Sequence, residues 1–290
     1  MNFSRFKYSQ LKLLCSIIGC KPNEVIYITS HINEYYNEWF EKKVNKETGE
    51  LKRFKDGTVK QRVIRPSLNR LKIIQRSIKN KILAPIPLPE NIYGGVKKKS
   101  NRTNAKRHQG NKFQFTTDLQ NFYPGIKYKQ VYKTFLELGF SNHFAHWLTK
   151  LTTWKYELPQ GTPTSTHIAN LVFLETDKIL LALCKRYSLI YTRYVDDLTF
   201  SSQVDFKPLL NDILEIITAG GYKINYRKTK YKGFQTITGI DVFNNFIDAP
   251  KKIKQKAAAE NHSDNKARPY STYLHSIRKT NTKIRSKVVD

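Results

Sequence analysis

The chain has 290 residues, of which 51 are Lys or Arg and 23 are Asp or Glu, so its formal net charge is +28. Its 12% aromatic content argues against wholesale disorder, and three cysteines without a Cys-x-x-Cys pair argue against a disulfide scaffold or a cysteine–zinc site. No apolar run is long enough for a secretory signal or a membrane span, so we expect a cytoplasmic protein without a membrane partner. The positive charge predicts a polyanionic partner, and nucleic acid is the first candidate.

The N-terminal part of the chain is predicted to be helical with one extended insertion. Apolar residues at helical spacing predict helices over residues 4–20, 22–40 and 68–83. Turn signals at 47–49 and 55–57 flank short extended pieces, which predicts a β-ribbon before the third helix.

Residues 84–112 are predicted to form a loop with a basic patch. They contain three Pro, a Gly94-Gly95 pair and the run Lys97-Lys98-Lys99. The wider segment 42–112 holds 21 Lys or Arg and 4 Asp or Glu, a net charge of +17. Because a solvated face would mix both signs, this asymmetry favours a surface that binds a polyanion.

The C-terminal half mixes strands and helices. Apolar and polar residues alternate from Phe113 to Asp118, which predicts a strand with one buried face. Apolar spacing predicts helices over residues 127–139, 142–153, 165–186 and 206–219. Residues 189–194 and 198–201 are predicted strands of a hairpin, and short strands over 222–247 precede a basic tail.

The predicted hairpin carries two adjacent carboxylates, Asp196 and Asp197, at its tip. Adjacent carboxylates repel each other unless a cation lies beside them, although a turn that simply favours Asp is the plainer alternative. Asp118 ends a second predicted strand, so three carboxylates can converge. Such a set suits two Mg²⁺ ions, with Mn²⁺ as a substitute, clamping a phosphoryl transfer.

Several ordered segments resemble the successive motifs of a reverse transcriptase. They are Asp118–Tyr123, Leu158–Ser165, Tyr194–Asp197 and Gly221–Thr229, preceded by a finger-like pattern over 36–76. The resemblance covers about residues 35–245 and implies RNA-directed DNA polymerase activity. It also implies an α+β right-hand polymerase fold. The N-terminal helices and fingers would occupy residues 1–112, and a short basic thumb would occupy 250–290. The palm, with a small antiparallel sheet, would occupy 113–249, of which 124–165 would belong partly to the fingers.

Two short elements resemble the retron branch of that family. Asn104-Ala105-Lys106-Arg107-His108 matches its Asn-Ala-x-x-His element, and Ile237-Thr238-Gly239 resembles its Val-Thr-Gly element. This implies a structured non-coding RNA as template and primer, an RNA–DNA product, dNTP substrates, antiviral defence and a separate effector protein.

Some positions depart from the retron pattern. Thr166 stands where retron enzymes have Pro, Tyr123 replaces a usual Phe, residues 44–58 resemble an insertion, and the tail after 250 is short for a thumb. These departures leave open a related defence-associated reverse transcriptase that makes repetitive or untemplated DNA, primed by a protein hydroxyl. An alternative of another class is a non-catalytic RNA-binding protein that uses only its basic face.

The resemblance also implies residue roles. Asp118 and Asp196 would bridge both ions, Asp197 would support them, and Leu119 is placed among the metal-binding residues. Lys228 would protonate the leaving pyrophosphate. The dNTP would be bound by the triphosphate-gripping Arg62, the steric gate Tyr123, Gln160 and Gly161 beside the nucleotide, and Lys228. The predicted RNA-binding residues are Lys97, Lys98, Lys99, Arg102, Asn104, Lys106, Arg107 and His108.

Overall fold

The computed structural model describes residues 3–45, 49–54, 56–260 and 268–282, so parts of the predicted turns at 47–49 and 55–57 lie outside the described residues. The α-helices are α1 (Phe3–Ile18), α2 (Pro22–Ser30), α3 (Asn69–Ile78), α4 (Asn101–Arg107), α5 (Phe122–Gly125), α6 (Tyr128–Glu137), α7 (Asn142–Thr152), α8 (Ser165–Val172), α9 (Leu174–Arg186), α10 (Leu210–Ala219), α11 (Lys251–Ala258) and α12 (Pro269–Thr282). The strands are β1 (Trp39–Lys42), β2 (Gln61–Ile64), β3 (Phe113–Asp118), β4 (Ile190–Tyr194), β5 (Asp197–Ser202), β6 (Lys230–Lys232), β7 (Gln235–Ile237), β8 (Ile240–Val242) and β9 (Ile247–Asp248). The predicted α+β class is therefore confirmed.

The chain divides into two compact units. The first unit comprises residues 1–88 and 121–174, and the second comprises 89–120 and 175–290. This division differs from the predicted one at residues 89–112, which were expected with the fingers but pack within the same unit as the sheet of β3, β4, β5 and β6.

The first unit is a helical layer with one ribbon. Helix α1 packs on α2, α3 and α7, and β1 pairs antiparallel with β2. The prediction of one helix over 22–40 is wrong, because α2 ends at Ser30 and a short 3₁₀ turn leads into β1. The large side chains Trp39 and Phe40 suggested a buried helical face, but both are exposed on the ribbon, where pairing with β2 satisfies the backbone.

The second unit is built on a four-stranded antiparallel sheet of order β4-β5-β3-β6. The predicted hairpin is confirmed: β4 pairs with β5, and Val195 and Asp196 form the turn between them. In the β3–β5 register, Asp118 lies opposite Asp197. The sheet therefore brings the predicted carboxylate pair to the end of the strand that carries the third carboxylate.

A smaller sheet, β7-β8-β9, forms a second core with α4 and α12. Its buried residues are Ala105, Ile237, Ile240, Val242, Ile247, Ala249 and Ile277. The prediction that 84–112 is entirely loop is wrong at α4, which begins after Ser100. The Ser100 hydroxyl accepts the Thr103 N–H at 3.2 Å, which satisfies an N-terminal donor of the helix.

The predicted single helix over 165–186 is interrupted at Phe173, where the backbone ψ of −6° separates α8 from α9. The Phe173 ring is fully buried and meets Phe122 edge-on, with ring centres 5.9 Å apart. None of the helices in the part of the chain that the structure describes is long and apolar enough to cross a membrane.

Candidate active site

Backbone pairing fixes three carboxylates at one end of the four-stranded sheet. Asp118 ends β3 and is buried, and Asp197 begins β5 directly opposite. The Leu119 N–H donates to the Asp196 carbonyl at 2.9 Å, which ties the hairpin turn to the end of β3. The positions of these carboxylates are therefore set by strand register rather than by a flexible loop.

The cluster carries strong electrostatic strain. Burial raises the pKa of Asp197 to about 7, and the nearby charges of Asp196 and Asp118 add to this rise, while Lys228 opposes it. Asp118 accepts from Lys228 Nζ at 2.7 Å and from Asn225 Nδ2 at 3.0 Å. Burial works against the charge of Lys228, but the hydrogen bond and charge of Asp118 outweigh it and raise the pKa of the lysine.

The donor chemistry of the cluster fits an oxygen-preferring divalent ion such as Mg²⁺, because carboxylates supply hard oxygen ligands and a cation relieves their repulsion. Among the described residues, no three carboxylate, imidazole or thiol groups are already arranged around one point in the way a metal site requires. Asp118 accepts from Asn225 with one carboxylate oxygen and from Lys228 with the other. Each oxygen keeps a second lone pair with which it could coordinate an ion.

A fully buried ion pair lies beneath the hairpin. Arg193 Nη2 and Nε donate to Asp177 Oδ2 at 2.6 and 3.2 Å, and the Tyr191 hydroxyl donates to Asp177 Oδ1 at 2.7 Å. Both charged side chains have 0% exposure. The remaining Nη1 of Arg193 donates to the Val195 carbonyl at 3.1 Å, so the pair supports the turn that carries Asp196.

Sequence reasoning missed Arg193 and Asp177. Arg193 is the one charged residue of β4, which was a sequence signal for a buried counter-charge because fully buried charges are rare unless paired. Asp177 gave no such signal, because α9 also carries Glu175, Lys178, Lys185 and Arg186.

The predicted nucleotide-binding residues Arg62, Tyr123, Gln160 and Gly161 belong to the first unit. Arg62 is exposed on β2, opposite Glu41. The Gln160 carbonyl accepts the Arg65 N–H at 2.7 Å, so the ribbon holds this loop. Gly161 is exposed with φ +109°, a backbone conformation that disfavours any side chain.

Two of the four departures from the retron pattern, Tyr123 and Thr166, contact each other. The Tyr123 hydroxyl and the Thr166 hydroxyl share a hydrogen bond at 3.0 Å. A Phe at 123 and a Pro at 166 would both lack the hydroxyl that this bond needs. The two unusual residues therefore form one structural unit that fixes the half-buried Tyr123 ring.

The predicted RNA-binding residues fall into two groups. Lys97, Lys98 and Arg107 are exposed. The others make internal contacts: Lys99 Nζ donates to the Glu90 and Ile92 carbonyls at 2.6 and 2.9 Å, Arg102 donates to the Ser276 carbonyl at 3.2 Å, and Lys106 donates to Gln109 at 2.5 Å.

We expected Asn104 and His108 to contact RNA. This expectation is wrong, because both residues have 0% exposure. The two ring nitrogens of His108 hydrogen-bond the hydroxyls of Ser201 and Thr192, each at 2.7 Å. Burial lowers the pKa of His108 to about 3, with a small contribution from Arg107. His108 is therefore a neutral core residue that attaches the end of α4 to β4 and β5.

Comparison with known proteins relates this site to one family. The chain matches the family described as reverse transcriptase (RNA-dependent DNA polymerase) over residues 52–238. It is 32% identical to the retron Ec86 reverse transcriptase of Escherichia coli over 197 residues, which cover 66% of this chain and 62% of that protein. It is 30% identical to the retron Mx162 reverse transcriptase of Myxococcus xanthus over 237 residues, which cover 69% of this chain and 49% of that protein.

A third relative, the retron Se72 reverse transcriptase of Salmonella heidelberg, is 32% identical over 209 residues, which cover 71% of this chain and 52% of that protein. The chain thus spans between 49% and 62% of the length of these relatives.

Removing one partner of the buried ion pair is expected to destabilise the protein strongly. Asp177→Ala leaves the Arg193 guanidinium buried without its counter-charge, which should lower the free energy of unfolding by about 3–5 kcal/mol. The matched control is Lys178→Ala, which removes an ion pair to Glu175 whose side chains are 66% and 70% exposed, and should change stability by less than about 1 kcal/mol. Urea unfolding followed by circular dichroism measures both, and equal losses would contradict the assignment.

The burial of His108 predicts a pH dependence of stability. Below pH 6.5 the unfolded chain binds a proton at this imidazole, whereas the folded chain does not until about pH 3. The contribution of His108 to the free energy of unfolding should therefore fall by about 1.4 kcal/mol for each pH unit between these values. The difference in stability between wild type and His108→Gln, measured by urea unfolding from pH 7 to pH 5, should shrink by about 2 kcal/mol. His275→Gln, which removes an exposed histidine, is the control; a pH-independent difference for His108→Gln would contradict the prediction.

Proposed function

The chain belongs to the reverse transcriptase family, and we propose that it synthesises DNA on an RNA template. The observation that carries this proposal is the placement of Asp118 opposite Asp197 across β3 and β5, with Asp196 in the adjoining turn. A set of three carboxylates at the end of a small antiparallel sheet is chemically suited to phosphoryl transfer.

Asp118, Asp196 and Asp197 would hold two Mg²⁺ ions, with Mn²⁺ as a substitute, and Leu119 adjoins them through its backbone. When bound, such ions activate an attacking hydroxyl and stabilise the leaving pyrophosphate. The protein contributes the rigidity of the site, because the Leu119–Asp196 backbone hydrogen bond and the β3–β5 register hold the carboxylates in place.

Lys228 has two properties that a general acid needs. Its ammonium lies 2.7 Å from Asp118, so it is held at the catalytic carboxylates. Its side chain is 57% exposed, so it can reach a group that approaches from solvent. We assign to Lys228 the donation of a proton to the leaving pyrophosphate.

The nucleotide contacts in this proposal come from residues whose roles the family resemblance implies. The half-buried Tyr123 ring, fixed by Thr166, would lie under the sugar and exclude a 2′-hydroxyl. Gln160 and Gly161 would contact the incoming nucleotide, and the φ of +109° at Gly161 disfavours any residue with a side chain there. Arg62, exposed on the ribbon, would bind the triphosphate.

We further propose that the enzyme is of retron type and copies a dedicated structured RNA into DNA in antiviral defence. Similarity to retron reverse transcriptases at 30–32% identity and the net charge of +28 support this assignment. The exposed Lys97, Lys98 and Arg107 are the residues of the predicted basic patch best placed to contact RNA. We also propose a cytoplasmic location, which the sequence led us to expect, and a separate effector protein, which the family resemblance implies.

Loss of two carboxylates should abolish DNA synthesis. Asp196→Asn combined with Asp197→Asn should reduce primer extension on poly(rA)/oligo(dT) with Mg²⁺ by at least about 10³-fold, equivalent to roughly 4 kcal/mol of transition-state stabilisation. Asp212→Asn, which neutralises an exposed carboxylate on α10, should leave extension within about twofold. A double variant as active as wild type would remove the metal role from these residues.

The steric gate predicts a change in sugar selectivity. Tyr123→Ala opens space under the sugar and should raise the ratio of NTP to dNTP incorporation by about tenfold or more. Tyr123→Phe keeps the ring and loses only the bond to Thr166, so its selectivity should stay within a few-fold of wild type. Steady-state incorporation of dTTP and UTP measures both ratios, and unchanged selectivity in Tyr123→Ala would exclude the gate role.

The retron assignment is tested by the nucleic acid that copurifies with the protein. Sequencing should find one defined DNA joined covalently to an RNA. Repetitive DNA attached to a tyrosine would replace this assignment with the defence-associated alternative, and RNA without DNA would favour a binding protein that does not catalyse synthesis. Protein carrying Asp196→Asn and Asp197→Asn is the control and should retain RNA but no DNA.

A further inference from the structure

The segment from Pro89 to Lys99 lies along the edge of β4 that does not pair with β5, beside the hairpin that carries the carboxylates. Ile92 and Arg193 form a parallel bridge, in which the Arg193 N–H donates to the Asn91 carbonyl and the Tyr93 N–H donates to the Arg193 carbonyl, each at 2.8 Å. We call residues 89–99 the edge segment. It extends the sheet by one short strand-like contact at the position next to the hairpin turn.

Gly94 of the edge segment is packed against the turn itself. A Cβ atom on Gly94 would lie 2.4 Å from the Val195 nitrogen, 2.5 Å from Val195 Cγ2 and 2.9 Å from the Tyr194 carbonyl carbon. Contacts below 3.0 Å are essentially never made by real Cβ atoms. Two of these three neighbours are backbone atoms, so a side chain on Gly94 could be accommodated only if the hairpin moved.

Glycine is required at position 94 because the hairpin turn leaves no room for a side chain there. The neighbouring Gly95 has φ +74°, a conformation in which glycine is favoured for backbone reasons. Gly94 has no such positive φ. Its lack of a side chain therefore sets only the distance between the edge segment and the turn.

The turn that Gly94 contacts is under conformational strain. Val195 is β-branched and has φ +61°, a left-handed conformation that such residues rarely adopt. It is supported from one side by Arg193, which donates to its carbonyl at 3.1 Å, and from the other by Gly94. This strained turn also carries Asp196, whose backbone carbonyl accepts the Leu119 N–H.

The edge segment is itself fixed by Lys99. The Lys99 ammonium donates to the carbonyls of Glu90 and Ile92 at 2.6 and 2.9 Å, and lies 4.9 Å from the centre of the Tyr93 ring. These contacts close the segment into a loop on both sides of Gly94. The segment is therefore a rigid support and not a flexible connection.

We propose that Gly94 is a positioning residue, which by its missing side chain sets the place of the Asp196–Asp197 turn relative to Asp118. This role rests on the proposed function, because it matters to catalysis only if those carboxylates form the active centre. A Cβ at 94 would push the turn by about 1 Å to restore an ordinary contact, and a misplacement of this size costs on the order of 10²-fold in rate.

The experiment compares Gly94→Ala with wild type and with Gly125→Ala, a control at a position where a Cβ meets no atom within 4 Å. Primer extension gives kcat and KM for dTTP, filter binding gives RNA affinity, and electron paramagnetic resonance gives the affinity for Mn²⁺ in the absence of substrate. Gly94→Ala should lower kcat by about 10²-fold and weaken Mn²⁺ binding by about tenfold, while KM and RNA affinity stay within about threefold. Values of kcat and Mn²⁺ affinity within threefold of wild type would overturn the proposal.

Two further variants keep the test decisive. Val195→Gly, introduced into Gly94→Ala, removes Cγ2 and the left-handed strain. It should therefore restore part of the lost kcat. If the effects of the two substitutions on kcat are strictly additive, a steric cause is contradicted. If Gly94→Ala does not fold, Lys99→Met releases the carbonyls of Glu90 and Ile92 without entering the turn, and should lower kcat while the unfolding transition is retained. Unchanged kcat in Lys99→Met would refute the supporting role.

Failure of the proposed function gives a different result. A wild-type protein that binds Mn²⁺ but extends no primer would contradict DNA synthesis, and the Mn²⁺ affinities of wild type and Gly94→Ala would still test the position of the turn.

Discussion

Holding Asp118, Asp196 and Asp197 together against their mutual repulsion is the constraint on which the second unit depends. Two backbone features enforce it, the β3–β5 register and the Leu119–Asp196 hydrogen bond of 2.9 Å. The strands cannot move apart without losing their ladder, so the carboxylates stay together. Burial raises the pKa of Asp197 to about 7, and the charges of Asp196 and Asp118 add to this rise. Lys228, which donates to Asp118 at 2.7 Å, opposes this rise, and a bound cation would relieve the repulsion further.

The buried pair of Arg193 and Asp177 serves this constraint more than it serves stability. Burying two charges costs desolvation free energy that their attraction rarely exceeds, and apolar residues of similar volume are often at least as stable. What apolar residues could not provide is the donor that Arg193 directs to the Val195 carbonyl at 3.1 Å. Val195 is left-handed at a cost of order 1–3 kcal/mol, and a conformation of that cost persists only where its surroundings fix it. The pair therefore selects one geometry for the turn that carries Asp196.

Features with a local cause were predictable from the sequence. The alternation of Phe113–Asp118 and the hairpin around Asp196 follow from side-chain patterns that strand pairing reproduces, and the right-hand polymerase fold follows from the family to which the ordered motifs belong. Features decided by tertiary contacts were not. Trp39 and Phe40 have the sequence of a helical face, yet pairing with β2 places them on an exposed ribbon. His108 resembled a loop residue, and only the approach of Ser201 and Thr192 makes it a buried one.

Tertiary contacts also decide which basic residues behind the net charge of +28 are free to bind a polyanion. Charge counted along the sequence assigned every basic residue of 97–107 to RNA, but a basic side chain can also donate to backbone carbonyls of its own chain. Lys99 does so in the edge segment, and Arg102 does so toward Ser276, so neither charge is fully available to a phosphate. Lys97, Lys98 and Arg107 remain exposed. The salt dependence of nucleic-acid binding counts only the phosphates that are neutralised. The proposed RNA-binding patch therefore offers fewer free cations than its composition suggests, and in our proposal Lys99 instead supports the turn that carries Asp196.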